Sequence, residues 1–412
     1  MQDAQAADWR ARWAVAAVFF ANGAMIGGWA AQIPLAKERL AVGHGALGLA
    51  LLGMAAGAMV SMPLAGAAIA RSGSAAVTRA STIAFCLSLP LPVLAPNLVL
   101  LTLALLIFGA ANGVMDVAMN AHGVAVERRL SRPIMSSCHG MFSVGGLVGA
   151  GLAALLLPFL PPVVHALVMT VTGLGIAAFA LHSLLPAGVD TNSGEPAFAF
   201  PGKASLALGA LCFLAMSGEG AILDWSALHL QGGLDMSPEF AAIGFAAFSA
   251  TMAAGRFTGD WMRGHFGAVT LVRASAFLAA AGLALALTVS SPALAIAGFA
   301  VVGLGVANLV PVLYGAAGAL PGQASGSAIA AVATMGYMGF LAGPPLIGLV
   351  AEATSLTLAL GLIVLACIVI GIAAAAASPA GNSRGDTAAR EAGIAPGASA
   401  GRQHLAEDGD IP

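Results

Sequence analysis

The stretch GAANGVMDVAMNAHGVAVERR, residues 109–129, places polar side chains inside an otherwise apolar segment. Asn112, Asp116 and Asn120 recur at every fourth position, so on a helix they form a stripe along one face. A charged side chain at the centre of a bilayer costs about 2.5–3.5 kcal/mol on insertion scales. We therefore expect this stripe to face a cavity lined by protein, with Asn112 and Asn120 available to bind a substrate.

Part of this stretch is repeated later in the chain. The dipeptide Ala-Asn at 111–112 returns at 307–308, an offset of 196 residues. The pair Trp29 and Trp225 and the pair Gly140 and Gly336 are separated by the same 196 residues. A duplicated unit of six spans is typical of alternating-access transporters, whose substrate site lies near mid-membrane between the repeats. The repeat therefore indicates transport.

The composition is that of a membrane protein. Of 412 residues, 59% are hydrophobic and 8% are charged, whereas a soluble domain carries about 25% charged residues. The mean hydropathy is +0.93. A helix needs about 20 apolar residues to cross the hydrocarbon core, and twelve segments satisfy this requirement: 13–34, 46–70, 76–95, 98–125, 134–157, 162–185, 204–230, 239–262, 268–289, 292–315, 324–350 and 355–377.

These segments predict an all-α membrane protein with twelve transmembrane helices in two pseudo-symmetric bundles of six. The predicted organisation is an N-terminal bundle (1–185), a linker (186–203), a C-terminal bundle (204–377) and a disordered tail (378–412). Long continuous apolar runs favour helices over a barrel, whose strands alternate over about ten residues. We expect the chain to be a monomer.

The basic residues predict the orientation in the bilayer. One side of the membrane receives two of them, Lys37 and Arg39. The side that carries both termini receives ten: Arg10, Arg12, Arg71, Arg79, Arg128, Arg129, Arg132, Lys203, Arg263 and Arg273. By the positive-inside rule, both termini and the linker are expected in the cytoplasm of a bacterium, with the protein in its inner membrane.

The seventh span carries a second polar cluster, Glu219 and Asp224-Trp225. Five residues apart on a helix, the two acids point about 140° away from each other, which argues against one shared site. Glu219 lies nearer mid-span and is a candidate for substrate contact or proton coupling. Asp224 lies nearer the external end, where it could gate the site or contact substrate, and either acid could instead form a structural ion pair.

Further polar and aromatic residues are candidates for substrate binding. Trp29 and Trp225 could anchor the interface or form a platform against a flat substrate face. Asn22, Gln32 and Asn308 offer hydrogen bonds suited to hydroxyl groups. His139 could relay a proton or bond a backbone carbonyl, and Asp116 could be a packing residue held by amides instead of a proton carrier.

Several classes of site and partner are not supported. The four cysteines, Cys86, Cys138, Cys212 and Cys367, lie singly in apolar spans without redox or metal-ligand spacing. Eight histidines are scattered over separate segments. No cofactor, metal or nucleic-acid partner is therefore expected, and the predicted partners are a small-molecule substrate, protons and the lipid bilayer.

The chain resembles the major facilitator superfamily over its full length. It is most similar to the fucose-permease-like branch, which includes the rhizopine-associated membrane proteins and bacterial relatives. The resemblance lies in GGWAAQIP (27–34), ANGVMDVAMNAHGV (111–124), SSCHGMFSVGG (136–146), EGAILDWSALHL (219–230), AGRFTGDWMRGHFG (254–267) and GYMGFLAGPPLIG (336–348).

The resemblance implies roles for particular residues. The superfamily signature after span two is degraded: Arg71 matches, but Ala70 stands where an acid is usual and Ser74 where a base is usual. The equivalent after span eight is fuller and includes Arg256 and Asp260, so a charge clamp that holds the cytoplasmic side closed is expected to rest on the C-terminal half. Proton-coupled symporters of this branch carry an acid in span four, matched here by Asp116. They also carry one in span one, which this sequence lacks.

The sequence therefore predicts a secondary active transporter for a small polar organic solute, such as a sugar, a cyclitol or a related metabolite. Proton coupling is expected through Asp116, with Glu219 as the second candidate. The alternatives are proton-antiport efflux of drugs or metabolites and a non-transporting sensor on the same fold. An intramembrane aspartyl protease using Asp116 and Asp224 would leave the duplication unexplained, and the expected protein is not an enzyme.

Overall fold

The computed structural model describes residues 2–42, 44–186, 202–234, 236 and 238–378. Within these ranges the regular structure is helical, with two short 3-10 turns at Leu181–Ser183 and Ala373–Ala377. The helices are α1 (Gln2–Ala30), α2 (Ile33–Leu40), α3 (His44–Ser72), α4 (Ser74–Ser88), α5 (Pro90–Leu94), α6 (Leu98–Leu130), α7 (Met135–Leu156), α8 (Pro162–Ala180), α9 (Lys203–Leu234), α10 (Pro238–Thr288), α11 (Pro292–Val306), α12 (Leu309–Gly318), α13 (Ser325–Ala353) and α14 (Leu356–Ile372).

Eleven helical segments in the described part of the chain are long and apolar enough to cross a membrane. One of them, Ile243–Thr288, has 46 residues, or about 70 Å at 1.5 Å per residue, more than twice the roughly 30 Å hydrocarbon core. The backbone of Gly267 inside it is non-helical, with φ 77°. Both parts of α10 pack on α11, since Gly303 faces Phe248 and Gly305 faces Ala279. This element is therefore two spans, and twelve spans are confirmed.

Prolines explain where two expected spans are interrupted. The tenth span breaks at Ala307 and Asn308, between α11 and α12. A proline ring clashes with the carbonyl four residues earlier, and Pro311 stands four residues after Ala307. The third span is divided between α4 and α5 at Pro90 in the same way. The first span also differs from expectation, because its helix begins at Gln2, ends at Ala30 and is followed by the separate α2.

The packing repeats between the two halves of the chain. In the first half α1 packs on α7 and α3 on α6, and in the second half α9 packs on α13 and α10 on α11. These are the same pairs of spans in each six-span unit. The expected fold, two pseudo-symmetric bundles of six helices, is confirmed.

Glycines allow the close approach of helices within each bundle. A Cβ atom at Gly145 or Gly149 of α7 would collide with the backbone carbonyls of Phe20 or Ala24 in α1. Gly339 of α13 meets the backbone of α9 in the same manner. Without a hydrophobic drive between helices in lipid, such small residues supply the packing.

The helical bundle has two ends, a terminal face and a distal face. The terminal face is the end at which α1 begins and α6 ends, and the distal face is the opposite end. Most of the expected linker and tail lies outside the described residues, in 187–201 and 379–412.

Candidate substrate site between the two bundles

A cavity of about 280 Å³ lies between the two bundles, near the middle of the spans. Both halves of the chain contribute to its wall. Its polar and charged lining residues are Asn22, Asn112, Asp116, His139, Glu219, Arg256, Tyr314 and Tyr337, and its apolar lining residues include Phe19, Phe142, Met216 and Phe340. Polar groups placed on an apolar wall are typical of sites for small molecules, and here the two classes contribute eight residues each.

The N-terminal half contributes a connected polar network around Asp116. The Asn120 side-chain amide donates to the Asp116 backbone carbonyl at 2.8 Å and to the carboxyl Oδ1 at 3.3 Å. The Asn120 carbonyl oxygen lies 3.0 Å from His139 Nε2, so this ring nitrogen carries the proton in that contact. The second carboxyl oxygen of Asp116, Oδ2, is buried and has no hydrogen-bond partner. Asp116 is thus held on one side and free on the other.

Two amides extend this polar surface. Asn22 Nδ2 of α1 donates to Asn112 Oδ1 of α6 at 2.9 Å. The Asn112 side chain also lies within hydrogen-bonding reach of Tyr337 on α13, in the other half. Asn112 and Asp116 therefore face the cavity between the bundles, whereas Asn120 is fully buried and supports Asp116 and His139 without lining the cavity.

The C-terminal half contributes an acid and a base that are not joined to each other. Glu219 of α9 and Arg256 of α10 line the same cavity. Among the residues that the structure describes, only Arg129–Asp8 and Arg263–Glu127 approach within the 4.0 Å of an ion pair. Arg256 Nη1 donates instead to the Ser143 hydroxyl of α7 at 2.6 Å. Glu219 Oε1 and Arg256 Nε are buried without hydrogen-bond partners.

A second cavity of about 650 Å³ lies beside this site, towards the distal face. The two cavities share Met54, Asn112, Tyr337 and Phe340 as wall residues, so they are adjacent. The sequence candidates Asp224 and Trp225 line this second cavity, not the central one. Glu219 and Asp224 therefore belong to separate sites, as their spacing on α9 predicts, and Asp224 does not face Asp116 as an aspartyl protease would require.

Polar contacts between the bundles close the terminal face. The two carboxyl oxygens of Asp260 in α10 accept hydrogen bonds from the backbone amides of Ser136 and Ser137, at 2.8 and 2.9 Å. These amides stand at the N-terminus of α7, where the helix dipole favours a negative charge.

Two arginines add to this closure. Arg263 pairs with Glu127 of the other half at 2.7 Å, and the Arg128 guanidinium donates to the Gly318 carbonyl at the end of α12. These contacts close the interface between the bundles at the terminal face, whereas the second cavity lies towards the distal face.

Three expected substrate-binding residues lie elsewhere. Trp29 and Gln32 line a separate pocket of about 240 Å³ at the distal face. Gln32 is held there by a 2.8 Å hydrogen bond between its Nε2 and His165 Nδ1 of α8. Trp29 is only 2% exposed, because the last turn of α1 packs inside the first bundle, so it is not an interface anchor either. Asn308 precedes α12 and donates to the Gly255 carbonyl at 3.2 Å, next to the terminal closure.

The two arginines expected to gate the protein occupy different places. Arg71 is exposed near the end of α3, at the terminal face. Arg256 is buried and reaches the central cavity, although the sequence motif groups it with Asp260. One turn of α10 separates these two residues, so the motif extends from the cavity to the terminal closure.

Sequence reasoning missed Tyr314 and Tyr337. The chain contains two tyrosines, and both line the central cavity. Their scarcity among apolar residues is the signal that could have identified them. No group of three or more His, Cys, Asp or Glu side chains in the described ranges is arranged to hold a metal ion.

Curated relatives identify the family. The chain is 39% identical over 359 residues to an uncharacterised MFS-type transporter of Yersinia pestis, which covers 87% of this chain and 93% of that protein. The chain belongs to the major facilitator superfamily. It is also 35% identical to the uncharacterised transporter y4wD of Sinorhizobium fredii, over 84% of this chain and 92% of that protein.

A third relative is membrane protein MosC of Rhizobium meliloti, with 37% identity over 89% of this chain and 88% of that protein. No family model matches the chain. The Yersinia pestis relative is an MFS-type transporter by name, and the chain is accordingly a multi-pass membrane transporter and not an enzyme.

Solved structures agree on the fold. The E. coli fucose:proton symporter FucP matches with a TM-score of 0.69 at 17% identity, over 89% of this chain and 98% of that one. The human organic anion transporter MFSD10 (TETRAN) matches with a TM-score of 0.71 at 14% identity, over 89% of this chain and 99% of that one. The fold expected from the resemblance to fucose-permease-like transporters is therefore confirmed.

Proposed function

We propose that the protein is a secondary active transporter that moves a small polar organic solute by alternating access, with the solute bound in the central cavity. The observation that carries this proposal is the cavity itself: Asp116, Glu219 and Arg256 line it, and each of them has a buried polar atom without a hydrogen-bond partner. Buried charged groups without partners are costly. A solute that bonds to them removes that cost, and a sugar, a cyclitol or a related metabolite has the hydroxyl groups to do so.

Proton coupling is assigned to Asp116. Its Oδ1 is held by Asn120 while Oδ2 is unpartnered, so the carboxyl can bind and release a proton without dissolving the network that positions it. Charged or titratable groups that line the same cavity are His139 of α7, Glu219 of α9, Arg256 of α10, Tyr314 of α12 and Tyr337 of α13. The solute and the proton would therefore bind in the same cavity, where the presence of one changes the electrostatic environment of the other.

The test uses Asp116→Asn, which imitates the protonated carboxyl at nearly constant shape. A labelled solute is taken from a thermal-shift screen of sugars, cyclitols and their amino and carboxyl derivatives. In proteoliposomes, the variant should lose accumulation driven by a proton gradient but retain counterflow exchange, because exchange requires binding and rocking without net proton release. The matched control is Asp224→Asn in the distal cavity, which should retain both activities. Accumulation by Asp116→Asn would move the coupling role to Glu219.

Proton-antiport efflux is the second candidate. The observation in its favour is the distal cavity, whose wall consists mostly of leucine, alanine, methionine and aromatic side chains. An apolar vestibule suits release of solutes less polar than a sugar. The same proteoliposomes distinguish the two directions: symport accumulates solute on the side towards which protons flow, and antiport depletes it there.

The proposed arrangement in the cell is a monomer in the bacterial inner membrane with both termini in the cytoplasm, so the terminal face is the cytoplasmic face. The bundles 1–185 and 204–377 would then rock about the cavity, connected by a cytoplasmic linker at 186–203. The ten-to-two distribution of basic residues supports this orientation. Reporter fusions after residues 200 and 380 should both report cytoplasm, and a periplasmic signal from either would contradict the topology.

A further inference from the structure

The base and the second acid of the central cavity are arranged differently from a structural ion pair. Glu219 and Arg256 line one cavity from neighbouring helices, α9 and α10, yet no nitrogen–oxygen distance between them falls within 4.0 Å. Each nevertheless has a buried atom without a partner, Oε1 in Glu219 and Nε in Arg256. A buried charge is tolerated in a low-dielectric interior when it is paired. Because both side chains line the cavity, a molecule bound there can contact both of them.

The orientation of Arg256 indicates what its partner is. Nη1 is engaged by the Ser143 hydroxyl at 2.6 Å, across the interface between the bundles. This leaves the edge that contains Nε, whose hydrogen has no acceptor. A guanidinium edge presents two parallel N–H groups, which match the two oxygens of a carboxylate. Glu219 accepts hydrogen bonds and favours a donor that is positively charged, such as an ammonium group.

The remaining acids agree with this assignment. Asp116 binds the proton in the proposed function. When Asp116 is protonated, the charges of Glu219 and Arg256 cancel, so the cavity has no net charge. Asp224 in the distal cavity is exposed and adds a negative charge on the path from the distal face. A molecule that is neutral overall but carries separated charges fits both the balance and the positions.

We propose that the transported solute is a hydroxylated zwitterion, bound through its carboxylate by Arg256 and through its ammonium group by Glu219. Asn22, Asn112 and the two tyrosines then bind its hydroxyl groups. This inference rests on the proposed function, because it assigns the solute of the same cavity. The inference narrows the expected solutes to sugar amino acids. It also gives Arg256 a role in substrate binding in addition to its contact with Ser143.

Four open-chain six-carbon probes isolate the contribution of charge. D-glucitol is neutral, D-glucamine is a cation, D-gluconate is an anion and D-glucosaminate is the zwitterion, and all four have similar size and hydroxyl content. Their affinities for the purified wild-type protein are measured by calorimetric titration at neutral pH. We expect D-glucosaminate to bind at least about tenfold more tightly than each of the other three, since hydrogen bonds to charged groups are the stronger ones.

Two variants assign the groups. Glu219→Gln should reduce the affinity for D-glucosaminate to about that for D-gluconate, and Arg256→Gln should reduce it to about that for D-glucamine. Ser217→Ala is the matched control, because Ser217 bonds only backbone carbonyls in α9 and α13, and it should bind like the wild type. The wild-type comparison needs no variant, so the proposal stays testable if a variant fails to fold.

The outcomes separate this inference from the proposed function. Equal binding of D-glucitol and D-glucosaminate, no binding of any probe, or tight binding of D-glucamine that Arg256→Gln leaves unchanged would each overturn the zwitterion assignment. In each of these cases the transport proposal still stands or falls on proton-driven accumulation and counterflow of whichever solute the screen identifies. Selective binding of D-glucosaminate that depends on both Glu219 and Arg256 would establish the assignment.

Discussion

The closest glycine contacts within each bundle differ in kind from the closest glycine contacts between the bundles. Within a bundle, glycines such as Gly149 of α7 and Gly339 of α13 bring helix backbones directly against each other. Between the bundles, Gly140 faces the ring of Phe257 and Gly326 faces the side chain of Ile69. Polar contacts, such as those of Asp260, complete the second kind. Backbone contacts cannot be exchanged without repacking, whereas side-chain contacts can be released and replaced by water.

This difference indicates which parts of the molecule move. Alternating access requires two rigid bodies and an interface that can open. The glycine contacts make each bundle one body, and the polar contacts at the terminal face make the interface that opens. Substitutions within a bundle and substitutions between the bundles should therefore have different effects on stability and on opening.

The largest effect is expected from Gly149→Ala. Its Cβ atom would collide with the Ala24 carbonyl of α1, and overpacking of this kind costs up to about 3 kcal/mol. The thermal midpoint in detergent should fall. Gly151→Ala is the matched control on the same helix, because a Cβ atom there meets nothing within 4 Å, and its midpoint should be unchanged or slightly higher. Equal midpoints for the two variants would show that the contact within the bundle is not tight.

The second effect is expected from Asp260→Asn. The neutral amide has one oxygen and no charge, so it cannot reproduce both hydrogen bonds that the carboxylate accepts from the Ser136 and Ser137 amides. The free energy that favours closure of the terminal face should therefore fall by about 2 kcal/mol. The population of molecules that are open at the terminal face should rise by up to about 30-fold. Thiol labelling at Val124→Cys measures this, because Val124 is buried against Gly318 of the other bundle. The four native cysteines are replaced by alanine in both proteins.

In the same experiment, the thermal midpoint of Asp260→Asn should fall far less than that of Gly149→Ala. A labelling rate equal to that of the parent protein would remove Asp260 from the closure.

The smallest effect is expected from the ion pairs of the terminal face. Arg263→Ala removes the pair with Glu127 between the bundles, and Arg129→Ala removes the pair with Asp8 within the first bundle. Such partly exposed pairs contribute below about 1 kcal/mol. Labelling at Val124→Cys should increase less than about fivefold in Arg263→Ala and should not change in Arg129→Ala. Equal labelling of the two variants would contradict the distinction between the two kinds of contact.

The fold could be predicted from sequence because its signals are additive along the chain. Twelve apolar runs and an offset of 196 residues specify two six-span bundles. Exact helix ends could not be predicted, because they depend on local geometry: the break at Ala307 comes from Pro311, and Gly267 turns a single helical element into two spans.

The site could be predicted from the sequence only in part. The four-residue spacing of Asn112, Asp116 and Asn120 predicts a shared face, and Asn112 and Asp116 line the central cavity, whereas Asn120 lies behind them against His139. Spacing along one helix does not determine which neighbour a side chain meets. Gln32 therefore binds His165 in a different pocket, and Arg256 reaches the cavity rather than the terminal closure alone.

The two tyrosines also give the protein a spectroscopic property. Tyr314 and Tyr337 are the complete set of tyrosines in the chain, and both stand in the wall of the central cavity on separate helices of the second bundle. Biosynthetic incorporation of fluorotyrosine would therefore produce a fluorine NMR spectrum with two resonances and no background from the rest of the protein. Their chemical shifts would follow the filling and emptying of the cavity directly, in native lipid and without any introduced cysteine.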